Sequence, residues 1–265
     1  MLYSGSLLKM NTQLKSTVEY ELPIGNQLVE LNQFLGKYVK FKWNNDIYCI
    51  ICGRKTNKSF AQGHCYPCFI SRPEVSECIL RPELCEAHKG RARDMEWAEN
   101  NCLQLHYVYL AVSSNYKVGV TRSSQIPTRW IDQGASYAIK IAETPNRYLS
   151  GLIEVKLKKY ISDRTAWQKM LKNEILENFD IEEKKEELAS YFDLNLKQFI
   201  SRDNTITKIN YPVIEFPSKV KSIGFDKNYI IEGRIMGIKG QYIMFDDNTV
   251  LNIRKHNGYD VEFNA

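Results

Sequence analysis

The chain has 265 residues, of which 43% are hydrophobic and 25% charged, with a net charge of +5. That length allows one large domain or two to three small ones with a real core, and the composition is that of a soluble protein, not a disordered one. No 18 apolar residues run together, which excludes a helical membrane span. The first residues, MLYSGSLLKMNTQLKS, lack the apolar run and cleavage site of a secretory signal. A cytoplasmic location is expected, and seven cysteines in a reducing compartment favour metal over disulfides.

In chain order, TVEYEL, KYVKFKW and the run DIYCII read as short strands, with NND as a turn. The stretch GNQLVELNQFLG between them reads as a helical turn or a buried connection. This β unit, residues 1–72, runs into the densest chemistry of the chain, CIICGRKTNKSFAQGHCYPC. Cys49-x2-Cys52 and Cys65-x2-Cys68 are separated by twelve residues. A Cys-x2-Cys bend places two sulfurs on one side of a tight turn, so two such bends can close a tetrahedron around Zn2+. Gly53 and Gly63 supply the backbone freedom such bends need. Four thiolates leave no open coordination position, so this zinc is expected to be structural. Arg54, Lys55 and Lys58 lie in a loop with no acidic residue, either as phosphate contacts or as a solvated surface.

Residues 73–105 read as loop-rich, with Pro73, Pro82 and Gly90 and a short helix at RDMEWAEN. Cys78, Cys85, His88 and Cys102 would complete a zinc site of three thiolates and one imidazole, against a reading of ordinary buried cysteines and a surface histidine. His106 is a substitute for His88, placed at the start of a strand.

The middle, residues 106–205, has the clearest alternation. HYVYLAV and YKVGVT form a hairpin through SSN, SQIPTRWIDQGA reads as a helix, and YAIKIAE as a third strand. NRYLSGLIEVKLKKYIS has apolar residues at helical spacing, and helices are expected over 167–179 and 181–200. Arg122, with Arg129 and Trp130, could grip phosphate and stack a base, and Trp130 equally reads as core. Residues 206–265 are β-rich and punctuated by glycine, with a hairpin at FDDNT, and read as a small β-barrel.

In YVY at 107–109 and KVG at 117–119, followed by Arg129 on one helix and Glu154 on the next, the chain resembles the GIY-YIG nuclease superfamily over about residues 106–161. The resemblance implies a ββαβα core in which Tyr109 takes the role of the first tyrosine and Lys117 replaces the second. Arg129 would neutralise charge developing on phosphoryl oxygens, and Glu154 would hold Mg2+ or Mn2+. The whole chain also resembles a bacterial family of unassigned function that combines CxxCGRK and GxCYPCF with HYVYLAV, KVGVTR and PTRWIDQGA. The expectation is therefore an α+β protein with a zinc knuckle, a GIY-YIG-like core with a helical extension, and a terminal barrel. Its expected partner is DNA or RNA. It cuts as a metal-dependent phosphodiesterase, binds without cutting, or serves as a protein-interaction scaffold.

Overall fold

A computed structural model describes residues 1–265. The chain divides into two compact units. The first joins residues 1–70 and 209–265 with the short piece 131–134, and the second comprises 71–130 and 135–208.

The first unit is built on a seven-stranded sheet. Its strand order is Leu2–Ser6, Tyr259–Asn264, Tyr38–Ile47, Ile230–Lys239, Tyr242–Phe245, Thr249–Asn252 and Lys221–Ile223, antiparallel except for the last pair. The central strands alternate as a half-buried sheet requires. Val39 and Phe41 face inward between exposed Tyr38 and Lys42, and Ile231 and Ile235 between Ile230, Glu232 and Arg234. The register sets opposite charges across from one another on the outer face, with Lys40 Nζ 3.4 Å from Glu232 and Lys42 Nζ 3.1 Å from Glu262. Inside, Phe41 and Phe263 meet at 4.5 Å between ring centroids.

The C-terminal strands therefore do not close into a barrel of their own, as the sequence reading expected. The strand Tyr259–Asn264 lies between Leu2–Ser6 and Tyr38–Ile47, so the two ends of the chain complete one sheet. The stretch at 25–36 also differs from expectation. Gly25, with φ +55°, and Asn26 form a two-residue hairpin turn between Glu19–Ile24 and Gln27–Glu30, and only Leu31–Phe34 is helical, as a 3-10 turn.

The second unit carries a four-stranded antiparallel sheet ordered Tyr116–Arg122, His106–Val112, Tyr137–Thr144 and Thr207–Lys208. Its element order is strand, strand, helix Thr128–Asp132, strand, helix Arg147–Leu157. The Asn146 side chain caps the last helix by accepting from Leu149 N–H at 3.0 Å. Ile153 and Leu157 on that helix pack with Val108, Leu110, Val118, Ile139 and Ile141 of the sheet, joined by Ile181 and Leu188. The helices expected over 167–179 and 181–200 are shorter, at Trp167–Leu171, Ile181–Ser190 and Leu194–Lys197. Asn173 and Asn178 adopt positive φ after the first of these, which no continuous helix tolerates.

Candidate metal centres and a charged cluster

The bend after the strand Tyr38–Ile47 gathers the first cysteine set. Gly53, at φ +68°, donates its N–H to the Cys49 carbonyl at 2.9 Å, and Ile50 N–H reaches Gly63 O at 2.9 Å. These turns bring the Sγ atoms of Cys49, Cys52, Cys65 and Cys68 within 4.8 Å of one another, with all but Cys52 buried. Cys52 and Cys65 Sγ are 3.7 Å apart. A disulfide would bring them to about 2.05 Å, whereas a tetrahedral ion with Zn–S bonds of about 2.3 Å sets sulfurs about 3.8 Å apart. The geometry fits a metal such as zinc. The shifts of Cys49 and Cys68 agree with it. Burial pushes the Cys49 thiol up, but the N–H groups of Cys52, Cys65 and Ile51 outweigh that and bring it down to about 6. Cys68 is pushed up to about 12 by burial and by its thiol neighbours. One thiolate forms readily and opposes the next, which is the situation a dication relieves.

The flanking loop is exposed at Arg54, Lys55 and Lys58. Lys55 Nζ lies 2.6 Å from Asp46, so of the three it is already committed to an acid. Lys58 stands over the Phe60 ring at 5.3 Å, and Phe60 contacts Phe69 and Tyr66 at centroid distances of 5.7 and 5.5 Å. Tyr66 and Phe69 are exposed, so aromatic faces and a cation share one surface.

In the second unit, Cys78 in the turn Glu77–Ile79, Cys85 after the turn Pro82–Leu84 and Cys102 at the end of helix Met95–Asn101 bring their sulfurs within 4.8 Å of one another. Gly151 makes this possible. A Cβ there would stand 2.2 Å from Glu83 N, so only glycine lets the helix Arg147–Leu157 approach the turn that carries Cys85 so closely. Arg147 ties the cluster's backbone together. Its guanidinium donates to Cys78 O at 3.4 Å and Asn101 O at 3.1 Å, and its N–H to Cys102 O at 2.8 Å. The neighbouring thiols Cys102 and Cys78 hold Cys85 well below the usual thiol range, and Cys102 and Cys85 hold Cys78 well above it. His88 is not part of this grouping. It is exposed and stacks on Tyr148 at 4.3 Å.

The residues singled out from the YVY and KVG strands divide in two. Lys117 senses the charges of Arg129, Asp163 and Glu154. Burial, then the Arg129 charge, lowers the Lys117 ammonium to about 8, while Asp163 and Glu154 oppose the shift. Lys117 Nζ donates to Thr165 Oγ1 at 3.1 Å, and neither Lys117 nor Arg129 takes part in an ion pair. The Glu154 carboxylate is engaged instead by Lys158 at 3.3 Å, and Lys158 also reaches Asp163 at 3.0 Å. Burial raises the Glu154 pKa, partly offset by Lys158. The Glu154–Lys158 pair, at i,i+4 spacing, is the plain alternative that the sequence offers to a metal-binding Glu154, whereas Asp163 and Thr165, read there as a helix start, were not expected beside Lys117.

Tyr109 and Trp130 belong to the interior, which for Trp130 is the core reading of the sequence and not base stacking. Tyr109 is fully buried over Gly119 and meets Trp130 edge to face at 6.2 Å; Trp130 itself is only 3% exposed. Neither presents a surface to a nucleic acid. Arg122 is likewise turned to structure, its guanidinium donating to Asn101 Oδ1 and to Asn100 O at the end of helix Met95–Asn101.

No helix is long and apolar enough to cross a membrane. No curated protein and no solved structure matches the chain. A family model described as protein of unknown function, DUF2797, matches residues 36–261, a span that takes in both cysteine clusters and the charged cluster. The chain belongs to the DUF2797 family.

Proposed function

We propose that this is a zinc-containing nucleic-acid-binding protein whose second unit grips the phosphate backbone without cutting it. One observation carries the reading. Lys117 and Arg129 are held close enough to oppose one another, and neither has an ion-pair partner. Keeping two cations together, one of them partly desolvated, is unfavourable; the charges of Asp163 and Glu154 offset this for Lys117 without forming an ion pair with it, and a phosphodiester shared between the two cations would offset it further. In the first unit, exposed Tyr66 and Phe69 beside Lys58 suit stacking of unpaired bases. The first cysteine set holds zinc for shape rather than for reaction, because ligation by four protein side chains leaves no position for a reactive water.

Cleavage is a second reading, favoured by one feature. The charge of Glu154 reaches Lys117, and a carboxylate there holding Mg2+ or Mn2+ would assist phosphoryl transfer. Against it, Lys158 holds that carboxylate and Tyr109 is sealed in the core.

Incubating the zinc-loaded protein with labelled single- and double-stranded DNA and RNA, with Mg2+, Mn2+ or chelator, separates the readings. Binding that weakens on Arg129→Ala, with intact substrate under every condition, supports the proposal. Metal-dependent fragments lost in Glu154→Gln would establish cleavage. No binding to any substrate at low salt would leave a protein-interaction scaffold as the better description.

A further inference from the structure

We propose that His106 is the fourth ligand of a zinc ion held by Cys78, Cys85 and Cys102, so that a strand of the sheet closes the metal centre of the loop-rich segment. The inference deepens the reading of the second cysteine set as a zinc site and rests on it.

Three sulfurs within 4.8 Å of one another are one donor short of a closed structural zinc site. The missing donor must be buried beside the cluster, carry a lone pair and have no other use for it. His88 does not meet those terms, since its ring is exposed and lies flat on Tyr148. His106 meets them. It is 1% exposed, and its Nδ1 lies 2.6 Å from the carbonyl of Gln104. A carbonyl only accepts, so Nδ1 carries the proton and Nε2 presents its lone pair. That Nε2 is buried and has no hydrogen-bond partner. A buried polar atom left unmet is unfavourable and calls for an explanation. A histidine fixed through one nitrogen by a backbone carbonyl while the other faces a metal is the usual arrangement at zinc.

The surroundings agree. His106 is paired across the hairpin with Arg122, whose guanidinium donates to Asn101 beside Cys102, and its ring stands outside the tight grouping of the sulfurs and would close it on an ion. The histidine's own position is rigid. It opens the central strand of the sheet, in register with Arg122 on one side and Thr144 on the other. Three thiolates and a neutral imidazole around Zn2+ carry one net negative charge. Arg147, which donates to Cys78 O and Asn101 O, and Arg122, which donates to Asn100 O and Asn101 Oδ1, stand beside the site, and their positive charge complements it.

The test is the zinc content of the purified full-length chain, read beside the visible spectrum of its cobalt(II) form and circular dichroism as a check on folding. Wild type should hold about two equivalents of zinc, and Cys78→Ser about one, the first set being untouched. His106→Ala should fall to about one equivalent, with loss of part of the tetrahedral cobalt absorption, while His88→Ala keeps two and an unchanged spectrum. Should His106→Ala fail to fold, His106→Cys decides. A thiolate there restores four donors, so two equivalents should return with a stronger sulfur-to-cobalt charge-transfer band. If wild type holds one equivalent and Cys78→Ser changes nothing, the second zinc reading itself fails. If wild type holds two, and His106→Ala also holds two with an unaltered spectrum, the second zinc stands and His106 is not its ligand. A drop confined to His88→Ala would transfer the role to that residue.

Discussion

The hydroxyl of Tyr109 stands directly over Gly119 on the neighbouring strand, so that a Cβ at 119 would lie 2.5 Å from the oxygen. The two residues are paired across the hairpin, and the missing side chain of one is the space filled by the other. Gly119→Ala must displace a fully buried ring, and overpacking of this kind typically costs about 1–3 kcal/mol. Urea denaturation should show a lower midpoint with an unchanged slope. An unaltered midpoint would mean that the ring moves freely, contrary to its full burial.

Gly151→Ala should be more severe, because the obstacle is backbone: Glu83 N at 2.2 Å and Pro82 C at 2.4 Å from the added carbon. The helix Arg147–Leu157 would have to part from the turn that precedes Cys85. The expected outcome is loss of zinc from the second set together with a fall in melting temperature, measured by metal analysis and thermal scans. Retention of both would count against the close approach.

Cys52→Ser should release the first zinc. A structural zinc contributes a folding free energy that reaches roughly 10 kcal/mol in small zinc modules, so the loop around residues 49–68 should become sensitive to protease. Protease resistance equal to wild type, with zinc still bound, would remove the ion from the account of this bend.

Binding to nucleic acid should weaken with salt, and Arg129→Ala should reduce the slope of log K against log salt by about one phosphate contact. Lys55→Ala should change it little, since that ammonium is already paired with Asp46. Equal effects of the two substitutions would deny the second unit its special role.

Lys117 sets the pH dependence. Its folded pKa of about 8 lies below the 10.5 of an ordinary lysine, because of burial and then the Arg129 charge. Between those values the unfolded chain holds a proton that the folded chain has released, so this group makes stability rise with pH across the window. Affinity for a phosphate should move the other way, falling as pH passes about 8 and the ammonium is lost. Titrating binding from pH 6 to 10, with Lys117→Arg as control, checks it: the arginine variant should hold its affinity to higher pH.

The interior of the second unit was legible because its residues repeat at the two periods a backbone imposes. Val108, Leu110 and Val112 alternate along a strand, and Ile153 and Leu157 recur along a helix, so the faces that meet follow from spacing, although Tyr109 and Ala111 between them are buried as well. Tyr109 and Trp130 were harder. An aromatic ring with a polar tip reads the same whether it covers a glycine in the core or faces a ligand, and only the packing decides. The strands between residues 230 and 252 were read as strands but wrongly as part of a separate barrel, and the end strands Leu2–Ser6 and Tyr259–Asn264 that complete the sheet were not read at all. Sequence shows which residues lie on an inward face, but not which strand, over two hundred residues away, will pair with them.

The same division runs through the metal sites. Cys49, Cys52, Cys65 and Cys68 are set by the sequence itself, because each pair is local and a two-residue gap leaves the bend little choice. The second set is assembled from a turn, a second turn and the end of a helix; clustering in the sequence named Cys78, Cys85 and Cys102 together, but only packing decided that His88 turns to Tyr148 instead. Likewise, the sequence alone determined that Lys117, Arg129 and Glu154 would lie on successive elements. That Lys158 holds Glu154 while Lys117 and Arg129 go without ion-pair partners was decided by the tertiary structure, since an ion pair depends on a few ångströms that only the packed chain defines.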